Sequence, residues 1–159
     1  MGHRKYIATA LAAATAVALL PGGAATAKTT KAKKLHCGLE LIAQGKPNPS
    51  LVQFGFPSCP APFGKGLHHS TITVTPSSPT SGAIAGRFKN YYNTGSVRGT
   101  VAMAFTATSP ANVTYIGTVT YTGGTGAFKH VKGTGKISCT TTDGGAHKSC
   151  TVDSKLTGM

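Results

Sequence analysis

The sequence predicts an all-β fold, a small antiparallel barrel of about six to eight strands behind a proline- and glycine-rich N-terminal segment. Three observations predict it. Beyond Gly66, apolar and polar residues alternate with a period of two. Clusters of Ser, Pro, Asn and Gly interrupt that alternation where hairpin turns would. No stretch beyond Gly66 carries a helical period. Strands with one apolar face must bury it, and closure into a barrel also removes exposed edges.

The first residues read as an export signal. Arg4 and Lys5 precede an uncharged, mostly apolar run from Ile7 to Leu20, then Pro21-Gly22-Gly23 and the small-x-small triplet Ala25-Thr26-Ala27. The run is shorter than the roughly 20 residues a membrane helix needs. Residues 1–27 are therefore expected to be cleaved, leaving a secreted, extracellular chain with no membrane span. Residues 28–34, "KTTKAKK", read as a basic mobile tail.

Residues 35–66 read as a Pro/Gly-rich N-terminal segment stapled by a disulfide. "LHCGLELIA" suits a first strand or a helical turn. Five prolines between Gly45 and Gly66 argue against a regular central strand. Residues 67–159 read as the barrel domain. In "STITVT", Ile72 and Val74 share a face. In "GAIAGRFKNYY", Ile84, Gly86, Phe88 and Tyr92 oppose Arg87 and Lys89. Val97, Val101, Met103 and Phe105 oppose Arg98, Thr100 and Thr106 in the next strand. Val113, Tyr115, Val119 and Tyr121 oppose Thr114, Thr118 and Thr120 after it. "GKISCTTT" and "HKSCTVDSKL" close the chain around Asp143-Gly144-Gly145-Ala146.

The four cysteines, Cys37, Cys59, Cys139 and Cys150, all lie in the exported part, and an even count there reads as two disulfides. No C-x-x-C pair or finger-spaced histidine suggests a metal, and none is expected. Cys139 and Cys150 each stand four residues from the nearer end of the turn Asp143–Ala146. They should face each other in a closely approaching cross-strand pair. Cys139–Cys150 leaves Cys37–Cys59 for the proline-rich segment.

The formal charge is +13, or +11 without Arg4 and Lys5, against only Glu40, Asp143 and Asp153. Such a surface attracts anionic partners, an anionic cell-surface polymer among them, more as loose adhesion than as a specific nucleic-acid site.

"YTGGTGAFKHVKGTGK", Tyr121–Lys136, looks at first like a phosphate loop. The P-loop pattern would need glycine where His130 stands and Ser or Thr where Ile137 stands, and the dinucleotide pattern needs glycine at Lys129. Both fail, and no nucleotide cofactor is expected. The segment instead resembles the strand–turn–strand signature of the allene oxide cyclase and dirigent superfamily, carried by Gly123, Gly124, Thr125, Gly126 and Phe128 with Gly133 and Gly135 following. "AGRFKNYY" and "GTVAMAFTAT" are similar to two earlier strands of that group. The resemblance runs from about Ser70 to Leu156 and implies a calycin-like β-barrel, with Phe128 folding back as a plug.

That resemblance would imply acidic residues at a reactive site, but Glu40 stands ahead of the predicted barrel, Asp143 in a turn and Asp153 on a water-facing parity. His36, His68, His69, His130 and His147 are expected to be solvated, and no G-x-S-x-G elbow occurs. The expected function is thus a non-enzymatic secreted barrel that binds a small apolar ligand or an anionic polymer. Phe88, Tyr92, Met103, Phe105, Tyr115 and Tyr121 share the inward parity and are the candidate lining. A cyclase- or dirigent-like protein that steers a reactive lipid or phenolic intermediate is the runner-up. A protease inhibitor presenting "FPSCPAPFG" is a minor third.

Overall fold

A computed structural model describes residues 31–45 and 50–159. The expected signal peptide, 1–27, lies outside the described residues. Eight strands follow one another: β1 (Lys33–Gln44), β2 (Ser50–Ser58), β3 (Leu67–Ser78), β4 (Ser81–Tyr92), β5 (Gly95–Ala107), β6 (Val113–Gly126), β7 (Lys132–Thr141) and β8 (His147–Thr157). Each pairs antiparallel with its sequence neighbour, and β8 returns to β1, closing the barrel. The closing pair is long, running from Lys33↔Leu156 to Ile42↔His147.

The period of two explains each strand. Along β1, Leu35, Cys37, Leu39 and Leu41 are buried between exposed neighbours. Along β8, Lys148, Cys150, Val152, Ser154 and Leu156 are buried in the same way. An eight-stranded barrel is just wide enough for inward side chains to fill it. These residues therefore form one core, with Phe128, Val131, Val97 and Leu156 almost fully enclosed.

The barrel begins at Lys33, well ahead of residue 67. Of the segment 28–34, residues 28–30 lie outside the described residues, while Lys33 and Lys34 start β1. Glu40 does not precede the barrel; it stands on the outer face of β1 and accepts a hydrogen bond from Ser149 Oγ at 2.8 Å. The expectation of no strand in the proline-rich segment is overturned by β2. Leu51, Gln53, Gly55 and Pro57 face inward there, and both neighbours pair with the strand. The described prolines of the segment are placed where they cost little. Pro60 and Pro62 follow the strand's end, and Pro57 lies beyond Gly55, the last β2 residue in register with β3.

Both disulfides join adjacent antiparallel strands. Cys139 and Cys150 are registered partners with Cα atoms 4.0 Å apart, and Cys37 bonds Cys59, just past β2, with Cα atoms 4.3 Å apart.

The glycine-rich corner is a strand end with a bulge. Arg98 pairs with Gly123 but Gly99 with Tyr121, which leaves Thr122 without an opposite residue. At Gly124 a Cβ would collide with the Ser96 carbonyl oxygen, and Gly126 turns at φ +58° against the Thr94 carbonyl. Thr125 Oγ1 accepts the Ser96 amide at 3.1 Å and lies 2.8 Å from Ser96 Oγ, tying the corner to β5.

Candidate functional site

The barrel has two unlike ends. At one, the β2–β3 loop turns Phe63 inward and the β6–β7 loop contributes Phe128 and Val131. Phe63 and Phe128 stack with centroids 4.4 Å apart and planes 7° from parallel, and Tyr92 meets both edge-on at 5.2 and 5.7 Å. Three rings in van der Waals contact close this end, and each buried phenyl contributes about 1.5–3 kcal/mol. Burial also pushes the Tyr92 phenol up to about 12, against the opposing hydrogen bond from Asn90.

The other end, where β1–β2, β3–β4, β5–β6 and β7–β8 connect, is open among the described residues. It holds a cavity of about 430 Å³ walled by Leu51, Ile72, Val74, Ile84, Phe105, Val113 and Tyr115, with Pro79, Pro110 and the turn Asp143–Ala146 at its rim. The volume falls within the range of small-molecule sites. One charged side chain lines it from within. Lys148 is 4% exposed, donates from Nζ to the Gly145 carbonyl at 2.8 Å, and stands 5.3 Å from the centre of the Tyr115 ring. Burial lowers its ammonium to about 8, partly offset by the charge of Asp143. Burial likewise raises the Tyr115 phenol.

Between the two ends lies a polar cluster that sequence reasoning missed. His68 is buried, contrary to the expectation that it faces water. Its Nδ1 lies 2.7 Å from Asn90 Oδ1, and its ring stacks on Phe88 at 6.1 Å. Burial pushes the imidazole down to about 4, so it is neutral and Nδ1–H donates to Asn90. Gln53 and Ser70 are buried and line the same small space, and Ser154, buried on β8, donates from Oγ to the Tyr121 hydroxyl at 3.4 Å. Among the described residues Gln53 Nε2 is a buried donor without a partner, and the adjoining space of about 40 Å³ is of water size. The signal for this cluster was present. Asn90 shares parity with Ile84 and Phe88, and His68 and Ser70 share it with Ile72.

The six candidate lining residues are thereby divided. Phe105 and Tyr115 line the open mouth, while Phe88, Met103 and Tyr121 surround the central space. Tyr92 belongs to the plugged end. The remaining histidines and acids lie outside the barrel. His36 Nδ1 meets Asp153 Oδ1 at 2.7 Å, His147 Nδ1 meets Asp143 Oδ2 at 2.6 Å, and His130 is exposed. His69 is half-buried against Phe54, with ring centres 5.3 Å apart. Thr141 Oγ1 at 2.6 Å and the His147 amide hold the Asp143 carboxyl well below the usual carboxylate range. Among the described residues no three His, Cys, Asp or Glu side chains gather in a metal-binding group, and no helix is long and apolar enough to cross a membrane. Comparison of the chain with protein-family models, with curated proteins and with solved structures finds no match.

Proposed function

We propose that this protein is an exported, non-enzymatic barrel that holds a small apolar ligand in its open mouth. The carrying observation is the asymmetry of the ends: one is sealed by Phe63, Tyr92 and Phe128, and the other opens into a 430 Å³ cavity with aliphatic and aromatic walls. A cavity of that composition takes up apolar molecules because water within it is poorly hydrogen-bonded. The sequence resemblance to the allene oxide cyclase and dirigent group is in keeping with a barrel that shelters an apolar guest. The disulfides accord with an oxidising, extracellular setting.

Uptake of the neutral dye Nile red tests the reading. Wild-type protein should enhance its emission, and Val74→Trp, which thrusts an indole into the mouth, should weaken uptake about tenfold or more. The chain has no other tryptophan, so the new indole also reports occupancy. Absence of uptake by the wild type, or uptake indifferent to Val74→Trp, would sink the proposal. Native mass spectrometry of protein from culture fluid would then identify a co-purifying guest.

The buried His68–Asn90 pair lends support to the runner-up, a cyclase- or dirigent-like steering of a reactive intermediate. The space beside it admits water but not a lipid or phenolic molecule, so the mouth would have to be the site of any such reaction. Recovery of a guest unchanged after incubation favours simple binding; recovery of a rearranged product favours the runner-up.

A further inference from the structure

We propose that the guest of the open mouth is a compact apolar molecule bearing one anionic head group, and that Lys148 is the residue that selects it. This rests on the reading of the mouth as a ligand site and adds the chemical class of the ligand.

The sequence contains three side-chain carboxylates, Glu40, Asp143 and Asp153. Glu40 is on the outer wall with Ser149, and Asp153 is paired outside with His36 at 2.7 Å. Asp143 stands on the rim of the mouth, but its oxygens accept from Thr141 Oγ1, the His147 amide and the His147 ring. Neither ion pair among the described residues involves Lys148, and the residues outside the description carry no Asp or Glu.

Among the described residues, Lys148 is thus an enclosed cation that hydrogen-bonds one neutral carbonyl, that of Gly145. An ammonium has three donors, and a buried charge is costly where the one carboxylate that acts on it, Asp143, does so without an ion pair. Its ordinary remedy would be deprotonation. Burial lowers the group to about 8, which still leaves it mainly charged at neutral pH. The cation therefore stands in the wall of a largely apolar cavity with donors to spare. An anion entering there loses its hydration but gains a charge-assisted hydrogen bond, which is stronger in such surroundings than in water. Tyr115 and Phe105, with ring centres 6.3 Å apart, line the same cavity and supply an aromatic wall for an apolar body beside the head group.

Isothermal titration calorimetry with 2-naphthoate and its neutral counterpart 2-naphthalenemethanol separates the parts of this argument. Wild-type protein should bind the carboxylate about tenfold tighter than the alcohol, or more. Lys148→Met keeps the length and apolar stem of the side chain, and should bind both compounds equally while retaining affinity for the alcohol. Lys148→Arg, which preserves the charge should the methionine variant fail to fold, should keep the preference. Equal binding of acid and alcohol by the wild type, or a preference that survives Lys148→Met, overturns the head-group assignment and leaves the apolar-ligand reading intact. Wild-type protein that takes up neither compound nor Nile red overturns both.

Discussion

A histidine enclosed in a narrow barrel is stable chiefly as the neutral imidazole, because the charged form would forfeit its hydration for one amide oxygen. His68 shows the consequence: burial is the largest influence on it, the Asn90 hydrogen bond opposes burial, and the charge of His69 adds to it. Its folded value, about 4, lies below the unfolded 6.5, so the unfolded chain binds the proton more readily. The stability tied to the neutral form is complete above about 6.5 and is lost as the pH falls towards 4, roughly 3 kcal/mol in all. Denaturant titrations of wild type and His68→Gln across that window should converge at low pH. Parallel curves would refute this account of His68. The residue escaped sequence reasoning for a physical reason. "HH" on a strand places one histidine on each face, but their identity does not say which face is buried. The polar residues at the parity of Ile72 and Phe88 do say so, once Ser70 and Asn90 are read as inward.

At the scale of the element, the two disulfides are the same device used twice. Cys139 and Cys150 flank the β7–β8 turn symmetrically. Cys37 and Cys59 stand equally far from Asn48, eleven residues on either side, and continue the register in which Gly38 opposes Ser58. The spacing that pointed to one cross-strand pair would have pointed to the other. The prolines conceal it, since a central strand is incompatible with proline in its interior. In the barrel only Pro57 falls within β2, at its end, so the objection holds for the loops and not for the strand. The Cys139–Cys150 link spans 11 residues, and Cys139→Ala with Cys150→Ala should lower unfolding free energy by about 3 kcal/mol, with the fold retained through Cys37–Cys59. A loss under about 1 kcal/mol in urea unfolding would show that the hairpin already holds its ends together in the unfolded chain.

For the whole molecule, a formal charge of +13, or +11 without Arg4 and Lys5, with three acids leaves a surface dominated by cations. Lys34 and Lys155 are cross-strand partners on the outer wall, and with Lys136 they border a shallow groove over β7, β8 and β1. Asp153 and His36 lie in the same groove, so its positive field is diluted. We expect adsorption to an anionic matrix that is released by roughly 0.2 M salt, as screening of exposed charges requires. Retention well above that concentration would instead mark a specific polymer site.

The alternation of apolar and polar residues determined, by itself, that the chain is all-β and which faces of β3 to β6 turn inward, because a strand's side-chain period is local geometry. The symmetric spacing of cysteines about the last turn is local in the same sense. Only the tertiary structure decided that β1 and β2 complete the wall, that β8 closes on β1, and that the inward residues divide into a plug, a polar centre and an open mouth. Those outcomes depend on contacts between residues distant in sequence, such as Phe63 with Phe128 in the plug and Leu39 with Cys150 at the closure. A period of two cannot report them. Lys148 makes the point most sharply: its parity marks it as inward, but only barrel closure shows that it faces a cavity with no carboxylate paired to it.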